Sequence, residues 1–217
     1  VDNRDFAPGI SLDLTRRLSA SELLRFHAEY NLFDYVGEET SLLFDPDERG
    51  GIPLTEFEFR EDEWNATING DYEFPLAGGA LKLIGIWRFE NSPIASRFTE
   101  FLSNDDIRQT RFEQVADEEE FILRGELSGT FRRNTQWQLS VERARNTLDV
   151  ASQTFSATNL DGEIASPRDI SFVGEERYQG NLTLSRSVAE GWDVQASLGA
   201  EYSTLSQTSN GRVLEEP

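Results

Sequence analysis

A single imidazole stands in the 217-residue chain, His27, placed between Arg25 and Glu29 in an alternating polar run. Such a ring could act as a general base toward a hydroxyl or a water if a carboxylate oriented it. Asp71 could serve if a neighbouring strand carried it there. Nothing in the spacing selects it, so His27 reads as a structural or ligand-lining residue. With no cysteine the chain has no thiolate nucleophile, disulfide or thiolate metal site, and one histidine makes no imidazole cluster. Asp45, Asp47 and Glu48, within Phe44 to Gly51, could offer hard oxygen ligands to Ca²⁺. Their spacing lacks the full set of an EF-hand loop and reads as a solvated turn. The run Ala116 to Glu120 reads as an acidic loop end before Phe121. No catalytic residue, cofactor or metal ligand is assigned, and the chain is expected not to be an enzyme.

The elements that must position these residues form a row of β-hairpins. Tight turns are expected near 19–21, 75–79, 132–135 and 188–191, each flanked by alternating apolar and polar positions. From Trp64 one face reads Trp64, Ala66, Ile68, Gly70, Tyr72, Phe74, and the other Glu63, Asn65, Thr67, Asn69, Asp71, Glu73. The last hairpin repeats the pattern, with Trp192, Val194, Ala196, Leu198, Ala200 and Tyr202 set against Asp193, Gln195, Ser197, Gly199 and Glu201. Eight long strands are expected, in an all-β, antiparallel up-and-down meander that is part of a larger transmembrane β-barrel. Between hairpins, Val36 to Asp62, Asn91 to Glu119 and Asp149 to Glu175 read as long acidic loops at the end opposite the tight turns. That asymmetry is typical of outer-membrane barrels.

Aromatic residues close the apolar face at both ends: Tyr72, Phe74, Phe131, Trp137 and Trp192 near the turns, and Tyr30, Trp64, Phe89, Tyr178 and Tyr202 toward the loops. This is the expected marking of two membrane interfaces. A mean hydropathy of −0.52 excludes runs of about 20 apolar residues, whereas a barrel strand needs apolar character only at every second position. The opposite face, with Arg25, His27, Glu29, Asp71, Lys82, Arg88, Arg124 and Glu142, is expected to line water. Arg143, Arg145 and Arg186 fall on the apolar face. For Arg143 a bulge, an early end of the membrane band and a snorkelling side chain all fit the sequence. A net charge of −20 argues against nucleic acid as a partner.

With tight turns on the periplasmic side both chain ends lie outside, so strands are expected before Ile10 and after Gln207, and the whole 1–217 span reads as a partial barrel domain. The charged tail Arg212 to Pro217 reads as no terminal strand. The segments NATINGDYEFPLAGGALKLIGIWRFENSP (Asn65 to Pro93) and GNLTLSRSVAEGWDVQASLGAEYSTLSQ (Gly180 to Gln207) resemble barrel hairpins of TonB-dependent outer-membrane receptors. The resemblance implies a barrel of 22 strands in the bacterial outer membrane. It also implies a plug domain absent from this segment and a TonB-type energy-transducing partner outside it. The function it implies is energy-coupled uptake of a small ligand such as a siderophore or other chelate. No motif carries a ligand contact across. A porin-like passive channel or small structural barrel shares the strand pattern, as does a soluble antiparallel sheet.

Overall fold

Strand alternation runs far beyond the segments first read as membrane-crossing. A computed structural model describes residues 1–42, 54–102, 106–131, 135–159, 162–210 and 212–216. Its long strands are β2 (Gly9–Ser19), β3 (Glu22–Leu42), β4 (Leu54–Leu76), β5 (Gly79–Phe101), β6 (Ile107–Phe131), β7 (Thr135–Thr158), β9 (Asp169–Ala189) and β10 (Trp192–Ser209). Three short strands complete an 11-stranded antiparallel sheet: β1 (Asp2–Phe6), β8 (Ile164–Ala165) and β11 (Arg212–Glu216). Consecutive long strands pair throughout, and among the described residues the hydrogen-bonded path stays open.

The three expected long loops are therefore mostly sheet. Val36 pairs with Arg60, Asn91 with Asp117 and Asp149 with Phe172. Charge misled the reading here. A polar strand above a membrane needs no apolar face, so Glu56, Glu58 and Arg60 can alternate with Phe57 and Phe59 and still belong to a ladder. The segment 45–48, read as a solvated turn, lies outside the described residues. The tail is corrected as well: Arg212–Glu216 pairs with β10 as a further strand, turning at Asn210, whose φ is 46°. The dipeptide Asn210-Gly211 is the hairpin signal that announces it.

Turn chemistry fixes the register of the expected hairpins. Ala77 and Gly78 have φ of 52° and 77°, so Leu76 pairs directly with Gly79 across a two-residue turn. Gly191, at φ 76°, closes the turn between β9 and β10. Phe131 pairs with Thr135 across the third turn, whose residues 132–134 are outside the described set. Prolines interrupt the ladder where a donor is missing. β1 and β2 meet β3 in one continuous register on either side of Ala7-Pro8, where the Pro8 carbonyl accepts from Leu32 N–H at 2.9 Å. Pairing of β4 with β5 likewise skips Asp62 and Glu63 opposite Ser92 and Pro93.

The sheet has one layer and almost no core. Among the described residues the only buried apolar side chains are Ala144 and Ala157, while Leu198, Trp192 and Tyr202 are 75%, 70% and 67% exposed. Stable domains in water bury an apolar face against a second layer, so these side chains require a different apolar neighbour.

The aromatic edges of the apolar face are slanted relative to the ladder. Straight across from Tyr30 the pairing passes Ala66, Phe89, Glu119, Thr147 and Gly174 to Ser206, yet the matching aromatic on β10 is Tyr202, four residues nearer the turn. From Phe74 it passes Leu81, Leu127, Leu139 and Leu182 to Leu198, and the closing aromatic is Trp192, six residues nearer the turn. At about 3.3 Å per residue and about 4.8 Å between strands, the far edge inclines the strands by roughly 25° and the turn-side edge by roughly 40°, a mean of about 32° and close to the tilt of membrane barrels. On both β4 and β10 the girdles stand ten residues apart, Trp64 to Phe74 and Trp192 to Tyr202. At that tilt the apolar band is about 27 Å tall, close to the band of such a barrel.

Candidate functional site

On the face opposite the band, charges expected from alternation are brought together as pairs. Strand pairing sets Arg25 opposite Asp71, and the guanidinium donates to both carboxylate oxygens at 2.9 to 3.1 Å, with Lys82 at 3.7 Å. Arg124 bridges Glu126 at 2.7 Å and Glu142 at 3.5 Å, and Arg177 reaches Glu142 at 3.3 Å. Such a face suits contact with water, because its cations and carboxylates satisfy one another in place.

His27 lies on this face, directly opposite Asp13. Its Nδ1 is 2.7 Å from Asp13 Oδ1, and its Nε2 is 3.5 Å from Glu29. Both ring nitrogens therefore face carboxylates. Asp71 is engaged by Arg25 and lies opposite it, away from the imidazole. Among the described residues no group of three or more His, Cys, Asp or Glu is arranged to hold a metal ion.

Past the far girdle, two ladder rows on the charged face frame a recess of about 430 Å³. One row runs Arg88, Glu120, Asn146, Glu175, Leu205, and the next runs Glu90, Glu118, Leu148, Val173. Arg88 lies 3.7 Å from Glu120. Asn146 donates to Glu175 at 3.3 Å, while its Oδ1 is withdrawn from solvent without a donor. Leu148, Val173 and Leu205 supply an apolar side. Farther from the turns, the same face carries Phe33 stacked on Tyr35 at 6.4 Å, Tyr35 against Phe59 at 5.9 Å, and Phe57 opposite Phe98. Sequence reading misses this recess because Glu118, Val173 and Glu175, which complete it, fall inside the expected loops. Continuing the alternation past Phe89 and Phe121 would have exposed it.

The apolar-face arginines sit beyond the band. The β6–β7 register is continuous along its length, which removes a bulge as the explanation of Arg143. On β7 the slanted band has descended to Val141, Leu139 and Trp137, so Arg143 lies at its far edge. There it donates to Glu176 at 2.8 Å and stands 5.8 Å from the Tyr178 ring. Trp87 correspondingly donates its indole N–H to Glu119 at 2.9 Å. Well outside the band, Arg111 binds Glu163 at 2.6 Å and lies 3.9 Å over Phe155, clamping the β7–β9 connection. The Arg111 guanidinium holds the Glu163 carboxyl below its ordinary range.

No protein-family model matches the sequence, and no curated protein does. Among solved structures the chain is similar to BauA, the ferric preacinetobactin receptor from Acinetobacter baumannii, at 12% identity and a TM-score of 0.37, covering 99% of this chain and 42% of that one. It is also similar to the siderophore receptor PiuA from Acinetobacter baumannii, at 10% identity and a TM-score of 0.34, covering 94% and 46%. A third likeness is to Acinetobacter baumannii CarO, at 13% identity and a TM-score of 0.22, covering 75% and 82%. These neighbours are outer-membrane β-barrel proteins. The chain spans less than half the length of the first two. Superposition this low leaves the residues of the chain itself to carry the reading.

Proposed function

We propose that the chain forms part of the wall of a bacterial outer-membrane β-barrel of the TonB-dependent receptor type, with outer-membrane lipid on one face and water on the other. It serves energy-coupled uptake of a small ligand and does no covalent chemistry of its own. The observation that carries the membrane reading is the slanted apolar band of a single-layer sheet, bounded by two aromatic girdles and backed by paired charges. Bilayer is the neighbour that fits a band of that height and tilt. Long strands favour a receptor over a simple channel. A spanning strand needs about 9 to 11 residues, whereas β3 to β7 have 21 to 25, so each extends well beyond the bilayer, and β5 to β7 carry part of the recess there.

The test is fractionation of cells expressing the full-length protein, followed by ligand uptake with and without proton-motive force. Outer-membrane recovery with uncoupler-sensitive uptake supports the proposal. Uncoupler-insensitive uptake makes the protein a passive channel, and recovery as a folded monomer in detergent-free buffer removes the membrane reading altogether.

A further inference from the structure

We infer that the turn-side edge of the apolar band is a contact for anionic phospholipid, in which Arg16 and Arg186 each hold a headgroup phosphate. This rests on the reading of the chain as a membrane wall, and it adds the lipid chemistry that one rim of the wall selects.

Three observations converge on it. First, these two arginines are free cations in a chain that has few. Acidic residues outnumber basic ones 40 to 20, so a strand arginine ordinarily finds a carboxylate. On the lipid-facing side Arg4, Arg60, Arg97, Arg111 and Arg143 each do. Among the described strand residues of that side, Arg16, Arg186 and Arg145 have no carboxylate within ion-pair distance. Arg145 stands directly opposite Glu176 at the far edge and shares a recess with Glu119, so that edge is not cationic. Arg16 and Arg186 are exposed and have no acidic residue across the ladder: Arg16 meets Leu24, and Arg186 meets Thr135 and Val194.

Second, both stand at headgroup depth. The turn-side edge shifts six residues over the five strand steps from Phe74 to Trp192. Continued at that slope, it crosses β9 and β2 within about a residue of Arg186 and Arg16. One lipid-facing step inward stand the exposed leucines Leu184 and Leu14. A guanidinium so placed lays its stem along the acyl chains and carries its head to the phosphates, which it can grip through two parallel N–H donors.

Third, the flanking strands carry interface residues at the same edge. Trp137 on β7 and Trp192 on β10 stand on either side of Arg186, and indole rings settle at headgroup level. The acidic strand extensions lie across the whole height of the band. That is well beyond the screening length of about 10 Å at 0.1 M salt, so their charge does not cancel the attraction.

The test folds the full-length protein into vesicles of phosphatidylcholine alone or of an equal mixture with phosphatidylglycerol, whose phosphate has no headgroup cation to counter it. Urea unfolding compares Arg16→Gln and Arg186→Gln with the unsubstituted protein. In the mixed vesicles each substitution is expected to lower the folded-to-unfolded ratio about fivefold, the contribution of one arginine near an anionic surface. In phosphatidylcholine alone the change is expected to stay below about twofold, and high salt is expected to bring the mixed-vesicle effect down to it. Arg60→Gln, in the ion-paired extension, is expected to show no lipid dependence. A second readout needs no variant: native mass spectrometry of the unsubstituted protein, released from micelles holding both lipids equally, is expected to retain phosphatidylglycerol preferentially. Equal losses in the two vesicle types, a lipid dependence at Arg60 matching that at Arg16, or equal retention of the two lipids overturns the inference. A protein that inserts and transports while its rim arginines are indifferent to lipid sinks this inference alone. A folded monomer in lipid-free buffer sinks the proposed function and this inference with it.

Discussion

Leu182→Arg separates a lipid-facing band from an ordinary protein surface. On β9, Leu182 lies midway between Tyr178, at the far girdle, and Arg186, at the turn-side edge. Four residues in either direction, at about 3.3 Å each and a tilt of about 33°, put it roughly 11 Å from both edges, near the bilayer midplane. Arginine there is expected to destabilise the membrane-inserted protein by about 2 to 4 kcal/mol. The neighbouring Thr183 points to the charged face, where its hydroxyl pairs with Ser197 at 3.1 Å, and Thr183→Arg is expected to cost less than about 1 kcal/mol. Urea unfolding in lipid vesicles, followed by the fluorescence of Trp64, Trp87, Trp137 and Trp192, reads both differences. Equal costs at the two positions, or a cost at Leu182 that persists in lipid-free buffer, would refute the assignment of faces.

Three further outcomes follow from particular contacts. Arg143→Leu is expected to change vesicle stability by less than about 1 kcal/mol, because the Arg143–Glu176 pair is half exposed at the edge of the band; the same urea titration checks it. Gly129→Val is expected to destabilise by about 1 to 3 kcal/mol and to perturb Trp137 fluorescence, since a Cβ at Gly129 would approach the indole ring to 2.8 Å. The Arg111–Glu163 clamp is expected to loosen in acid. Its carboxyl is held below the ordinary value of 4.5, so its contribution is present above that pH and lost as pH falls through the lower folded-state value. Hydrogen exchange at Ile164 and Ala165 should rise below about pH 4.5, and Glu163→Gln should abolish that pH dependence.

The eight long strands, their facing and the girdles were legible because period-two alternation survives any overall composition: Trp64 to Phe74 gives the whole pattern in a mean hydropathy of −0.52. The strand extensions follow the same rule less visibly. Glu56, Glu58 and Arg60 alternate with Phe57 and Phe59, but the charge density gives the segment the composition of a loop. Their pairing is decided by register propagated from the turns below. The charged face was predictable as a set and unpredictable as pairs. Alternation places Arg124, Glu126 and Glu142 on one side, but only cross-strand register tells that Arg124 bridges both carboxylates. The recess needed both kinds of information.

The slant of the band accounts for arginines that no straight reading can place. Followed across the ladder, Arg16 is level with Leu24, Tyr72, Leu83, Gly125, Val141, Gly180 and Ala200, inside the band on the later strands. Arg143 is level with Leu123, Gly85, Gly70, Phe26 and Leu14, in the middle of the band on the earlier ones. If the membrane lay parallel to the ladder, one of these charges would sit at mid-depth. With strands tilted by about 32°, both leave it, Arg16 toward the turns and Arg143 toward the strand extensions. Arg145 and Arg186 follow the same division. Moving the β7 charge two residues inward then gives a direct measure of the edge: Val141→Arg in an Arg143→Val background keeps composition constant and is expected to cost about 1 to 3 kcal/mol in vesicles. A neutral exchange would mean that the band on β7 extends no deeper than Leu139, and the tilt drawn from the two aromatic edges would be wrong.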